Sequence, residues 1–129
     1  MNLRRYIGIP YKSHACGFDG VDCYQLARLF NREELGVELP DYKDLYKDAH
    51  KQDEVAHAVD VAKQGWTKTD EPAPGDVILF RDRGAVSHCG VYVDDECFLH
   101  IREGGLSCIE PLHGMHWGKR LTEIMTWSH

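Results

Sequence analysis

Two apolar runs separated by three acidic residues constrain this chain more than any other feature. Residues 86–93 and 97–102 each alternate in polarity, with Asp94-Asp95-Glu96 between them. Runs of this kind read as β-strands, and the short acidic break reads as a hairpin loop. Side chains alternate across a strand, so the loop length decides which residues share a face. With a three-residue loop, Val93 faces Cys97, Val91 faces Leu99 and Cys89 faces Ile101, and that face is wholly apolar. The opposite face carries His88, Gly90 and Tyr92 beside Phe98, His100 and Arg102. His88 and His100 then become diagonal cross-strand neighbours, close enough for their rings to meet. A two-residue loop would mix the faces, so burial favours the odd loop.

The rest of the chain fits around this hairpin. Residues 76–81 form another compact apolar run, and two further short strands are expected near 106–109 and 121–126. Upstream, Val21, Leu26, Leu29, Phe30 and Leu35 approximate helical spacing, which predicts a helix over 22–35. Asp19 or Asp22 can cap its start and Gly36 can end it. The polar stretch 40–74 suggests one or two short helices and closes on Pro72 and Pro74. Helices first and strands later is an α+β pattern, with helices packed on an antiparallel sheet. The length of 129 residues is that of one compact domain, here 1–129.

Charge and cysteine usage narrow the function classes. A net charge of −6 argues against nucleic-acid partners and against adsorption to an anionic membrane. No leader-like apolar segment follows Met1, so synthesis in a cytoplasm without a signal peptide is the expectation. The five cysteines, Cys16, Cys23, Cys89, Cys97 and Cys108, are odd in number and irregular in spacing. They read as reduced thiols, each by default a small buried hydrophobe.

Cys23 departs from that default by its place in the first turn of a helix. There the macrodipole and the unpartnered helix-start N–H groups favour thiolate, which is the nucleophilic form. A nucleophilic cysteine needs a base and a group to orient that base. If the first turn of the helix packs over the histidine face, His88 is the base, and His100 holds the far nitrogen of His88. The backbone N–H of Cys23 is then a natural oxyanion donor. This chemistry needs no cofactor.

The same residues resemble a known family. Ile9-Pro-Tyr11, Asp22-Cys23-Tyr24, Pro74-Gly-Asp-Val-Ile-Leu-Phe80, Ser87-His88-Cys-Gly-Val-Tyr92 and Phe98-Leu-His100 occur in the order found in NlpC-type cell-wall peptidases, which are papain-like cysteine enzymes. The likeness spans roughly residues 6–103. It implies a Cys23, His88, His100 triad, with Tyr11 and Asp22 as substrate or oxyanion contacts. It also implies hydrolysis of amide bonds in peptidoglycan stem peptides, commonly between D-glutamate and diaminopimelate. The segment 22–40 looks most like phage tail-associated members, which implies a virion setting and other tail proteins as partners. Two departures concern the substrate pocket. Lys12-Ser-His-Ala-Cys-Gly17 replaces a Trp-Gly-Gly type segment, and Tyr24 follows the nucleophile where small residues are common.

Three rival readings compete with the peptidase. A zinc site could use His14, Cys16 and Cys23, or Cys97-x-x-His100. However, Cys97 and His100 point to opposite strand faces, and no paired Cys-x-x-Cys knuckle exists. A thioester-forming amidase or acyltransferase could use the same scaffold. A structural tail protein could keep the fold with a silent or assembly-activated site. The remaining histidines, His50, His57, His113, His116 and His129, read as surface residues. Trp66, Trp117 and Trp127 read as core or edge packing.

Overall fold

The computed structural model describes residues 2–47 and 52–127. Its elements are a small hairpin of β1 (Cys16–Gly17) and β2 (Gly20–Val21), helix α1 (Cys23–Phe30), helix α2 (Gln52–Ala62), and six strands. The strands are β3 (Trp66–Lys68), β4 (Val77–Asp82), β5 (Ala85–Asp94), β6 (Cys97–His100), β7 (Cys108–Pro111) and β8 (Leu121–Trp127). They make one sheet in the order β3-β8-β4-β5-β6-β7, with every neighbouring pair antiparallel. The α+β expectation holds. His50 and His129 lie outside the described residues, while His57, His113 and His116 are exposed as expected.

Helix α1 starts where its cap dictates. Asp22 is extended and its carboxylate accepts from the Gln25 N–H at 2.9 Å, which leaves Cys23 as the first helical residue. After Phe30 the helix widens into a π-helical turn over Asn31–Leu35 and ends at Gly36, whose φ of 66° is left-handed. The helix buries Leu26, Ala27, Leu29 and Phe30 against Val77, Leu79, Cys89, Val91, Val93 and Leu99. A second cluster, Ile78, Phe80, Tyr92, Phe98, Leu112 and Trp117, covers the other side of the sheet.

The hairpin of β5 and β6 reaches the expected facing by another route. Its turn has two residues, Asp95 and Glu96, both at positive φ (52° and 59°), as a tight right-twisting hairpin requires. Such a turn alone would invert the faces. A bulge at Val93 restores them, because Tyr92 pairs with Phe98 while Asp94 pairs with Cys97. Val91 therefore faces Leu99, as the apolar pattern demands.

The placement of the helix corrects the sequence reading. Helix α1 packs on the apolar face of the hairpin, not on the face that carries the histidines. Burial explains this, since Leu26, Leu29 and Phe30 of α1 gain most against Cys89, Val91 and Leu99. The histidine face is roofed instead by the loop carrying Leu112 and Trp117.

Candidate active site

Cys23 sits at the seam between the two faces. It packs beside Cys89 at the helix–sheet contact and also lines a cleft of about 380 Å³ with His88, Tyr11, Ser87, Ile101 and Arg102. Two groups hold its thiol well below the ordinary cysteine range: first a hydrogen bond from the Cys89 thiol, then the hydrogen bond and charge of His88. Burial opposes both. Cys89 moves the other way, because the Cys23 sulfur and its own burial keep its proton in place. The two opposite shifts place the shared proton preferentially on Cys89, whose S–H donates toward the Cys23 sulfur. The backbone N–H of Cys23, at the helix start, has no partner within the helix.

His88 and His100 meet as the strand parity predicts. His88 Nε2 lies 2.9 Å from His100 Nδ1, and His100 Nε2 lies 2.5 Å from the Glu110 carboxylate. Hydrogen-bond direction follows from chemistry. A carboxylate only accepts, so His100 donates from Nε2. Burial and the neighbouring His88 push His100 down to about 4, so it is neutral at physiological pH and accepts at Nδ1. His88 must then donate from Nε2, which leaves its Nδ1 for the Cys23 sulfur. Trp117 stacks on the His88 ring at 4.8 Å and keeps it in this plane.

Glu110 was not among the residues read from sequence. It stands on β7 opposite Phe98, two residues from Cys108, which faces His100. The cue was available only through the register of β7, whose sequence estimate of 106–109 lay two residues early. Cys89 was read as part of the apolar face. It does pack there, yet its thiol also serves Cys23.

Asp22 sits beneath the helix start, where it also lines the apolar pocket beside Cys23. Asp22 is 1% exposed. Its carboxylate accepts from the His14 N–H at 2.8 Å, the Gln25 N–H at 2.9 Å and the Tyr46 hydroxyl at 2.7 Å. Burial, then the adjacent Cys23 thiolate, push its carboxyl above the usual range. It anchors the start of α1. Tyr11 lines the cleft beside Cys23. Tyr24 donates to the Pro40 carbonyl at 2.6 Å and borders, with Tyr42, Trp66 and Met125, an apolar pocket that adjoins the cleft at Cys23, Val55 and Ser87. His14 of the departing segment bonds the Tyr46 carbonyl at 2.7 Å, and Cys16 bonds the Gln25 carbonyl, so neither gathers with Cys23 as a ligand set.

A thiol of lowered pKa at a helix start, a hydrogen-bonded histidine and an adjoining cleft can perform nucleophilic acyl chemistry. The sequence profile of the NlpC/P60 family matches residues 8–126. The chain belongs to the NlpC/P60 family. Among curated proteins it is 25% identical over 116 residues to the Murein DD-endopeptidase MepS/Murein LD-carboxypeptidase of Escherichia coli K12. That match covers 90% of this chain and 54% of the relative, so the chain spans about half the length of the curated relatives it matches. Solved family structures share the fold. The NlpC/p60 domain of the peptidoglycan hydrolase SagA aligns with a TM-score of 0.62 at 13% identity, covering 96% of this chain and 92% of that one. NlpC1 of Trichomonas vaginalis aligns with a TM-score of 0.64 at 21% identity, covering 96% and 42%. No helix among the described residues is long and apolar enough to cross a membrane.

Proposed function

We propose that this chain is a cysteine peptidase that hydrolyses amide bonds in peptidoglycan stem peptides, with Cys23 as nucleophile, His88 as base and His100 orienting His88. The observation that carries this reading is the unbroken row from the Cys23 thiol through His88 and His100. The Cys23 sulfur attacks the scissile carbonyl carbon, and the negative charge that develops on oxygen is met by the Cys23 N–H at the helix start. Tyr11, in the same cleft, is the second contact we assign to the substrate. His88 gives the Nδ1 proton to the leaving amine, and a thioester remains. Water, deprotonated by His88, then releases the acid and restores the thiol.

The family supports the substrate class, and the names of relatives frame the bond. MepS is named for D,D-endopeptidase and L,D-carboxypeptidase activity. The resemblance of the chain's motifs points to the D-glutamate–diaminopimelate bond, and that is the bond we propose. We assign the whole chain 1–129 to one such domain. The likeness of segment 22–40 to tail-associated members supports a phage tail as its setting. The test is digestion of purified sacculi and defined muropeptides, read by mass spectrometry, with wild type and Cys23→Ala. Release of peptides ending in D-glutamate, absent with Cys23→Ala, supports the reading. Equal release by Cys23→Ala would sink the mechanism.

A further inference from the structure

Three side chains on the outer edge of the histidine face present donors of three kinds to one point. The His100 Nε2, the Cys108 Sγ and a Glu110 carboxylate oxygen all lie within 4.8 Å of one another. Register places them there: His100 pairs directly with Cys108, and Glu110 follows Cys108 by two residues on the same face. This set differs from the Cys97-x-x-His100 spacing visible in the sequence, whose members point apart. We infer that His100, Cys108 and Glu110 form a binding site for zinc, and that zinc bound there switches the peptidase off.

The donor set suits a borderline-soft ion. Thiolate, imidazole and carboxylate together select zinc over calcium or magnesium, which take oxygen ligands. A tetrahedral centre with bonds of about 2.0–2.3 Å spaces its donors roughly 3.3–3.7 Å apart. At present the Cys108 sulfur is 3.9 Å from the Glu110 oxygen, and that oxygen is 2.5 Å from His100 Nε2. Closing the first distance and opening the second requires side-chain rotation while the paired strands keep their register. Access is open: β7 ends the six-stranded sheet, the Glu110 side chain is 36% exposed and Cys108 is half-buried, so solvent water can take the fourth position. The second shell is already built, because His88 engages the other nitrogen of His100.

The switching half of the inference rests on the peptidase reading, and the binding half does not. Without metal, His100 Nε2–H points to Glu110 and Nδ1 accepts from His88. Zinc on Nε2 leaves the single proton of neutral His100 on Nδ1, so His100 must donate to His88. His88 Nε2 must then accept, so His88 keeps a single proton, on Nδ1, and the second proton of its imidazolium form passes to the Cys23 sulfur. The thiolate–imidazolium pair is thereby lost, because a doubly protonated His88 would set N–H against N–H, and Cys23 is held as the less reactive thiol. Loading releases one proton, from Cys108, to solvent.

Cobalt(II) titration of the full chain carrying Cys23→Ala, which removes the nucleophile as a competing ligand, tests binding without reference to activity. The expected result is one cobalt per chain, with a near-ultraviolet thiolate-to-cobalt absorption band that zinc abolishes by displacement. In Cys23→Ala/Cys108→Ser the band should vanish, and zinc affinity should fall by at least about 10–100-fold, the loss that even an outer-shell partner carries. In Cys23→Ala/Glu110→Gln the band should persist at weakened affinity, which guards against a misfolded Cys108 variant, and circular dichroism checks both. A band unchanged by Cys108→Ser, or no stoichiometric binding, overturns the site. For the switch, each protein's rate with zinc is divided by its own zinc-free rate. Wild type should be inhibited and Cys108→Ser should resist at the same zinc concentration. Equal inhibition of both would show that zinc acts on the Cys23–His88 pair instead.

Discussion

Glu110 accepts the Nε2 hydrogen of His100 at 2.5 Å, and this contact sets the direction of the other hydrogen bonds in the row. Because a carboxylate cannot donate, the proton of His100 stays on the side away from His88. His88 is thereby left with its Nδ1 toward Cys23. Glu110 touches no reacting atom, so its part is that of a positioning residue.

Removing that acceptor has a specific consequence. In Glu110→Ala, His100 is free to turn its proton toward His88, which weakens the Cys23 thiolate–imidazolium pair. The turnover number should fall about 10–100-fold with KM little changed, a share of the roughly 10²–10⁴ that acid–base catalysis supplies. The apparent pKa for alkylation of Cys23 should rise in the same variant, and Glu110→Gln, which keeps an acceptor, should lie between. A variant that loses only thermal stability, with the alkylation profile unmoved, would limit Glu110 to a structural part.

The Cys23 thiolate should be visible as a reactivity profile. The folded pKa lies below the ~8.5 of a free thiol, so iodoacetamide labelling at Cys23 should stay fast as pH falls below 8.5 and decline only through the lower folded value. Cys89→Ala and His88→Ala each remove a hydrogen bond that holds the thiolate, so each should move the decline to higher pH. Peptide mapping across pH 5–9 reads both shifts. If Cys89→Ala leaves the profile in place, His88 alone sustains the thiolate.

How much of this arrangement was legible beforehand depends on the kind of constraint. The meeting of His88 and His100 followed from parity, because a one-residue slip would expose Val91 and Leu99 to water. The turn that delivers it was not legible, since a three-residue loop and a two-residue turn with a bulge at Val93 give the same facing. The side on which α1 packs follows the larger apolar area, which the pairing of the histidines does not reveal. Cys23 reaches His88 from the seam, so proximity in the cleft did not require a shared face. Glu110 stayed hidden because a short edge strand with Cys108, Ile109 and Glu110 has too little alternation to fix its register.

Asp22 should behave as scaffold rather than as substrate contact. Asp22→Ala removes a helix cap, worth about 1 kcal/mol. It also leaves the buried Tyr46 O–H without its acceptor, at about 1–3 kcal/mol, although the hydroxyl oxygen still accepts from Gln25 Nε2. Together these predict a loss of about 2–4 kcal/mol, a fall in melting temperature of roughly 10 °C. Asp22→Asn, which keeps an acceptor for the cap, should lose less. At a temperature where the variant is folded, KM should stay near that of wild type. A raised KM with an unchanged melting temperature would return Asp22 to the substrate side.

Gly90 holds the space in which the two histidines meet. A β-carbon there would lie 2.7 Å from the Phe98 ring, 3.1 Å from the Leu99 carbonyl oxygen and 3.3 Å from the His100 β-carbon. The last two belong to β6 itself, so the strand must shift to admit a methyl group. Overpacking of this sort costs about 1–3 kcal/mol. The displacement falls on His100, and a misplacement of about 1 Å near the reacting groups can cost about 10²-fold in rate. Gly90→Ala should therefore melt earlier and, assayed well below its melting temperature, turn over about 10–100-fold more slowly than wild type. Chemical shifts of the His100 ring, followed by nuclear magnetic resonance, should move with the rate. Full activity in a destabilised Gly90→Ala would mean that Phe98 alone absorbs the methyl group and that the His88–His100 contact is set by Trp117 and Glu110.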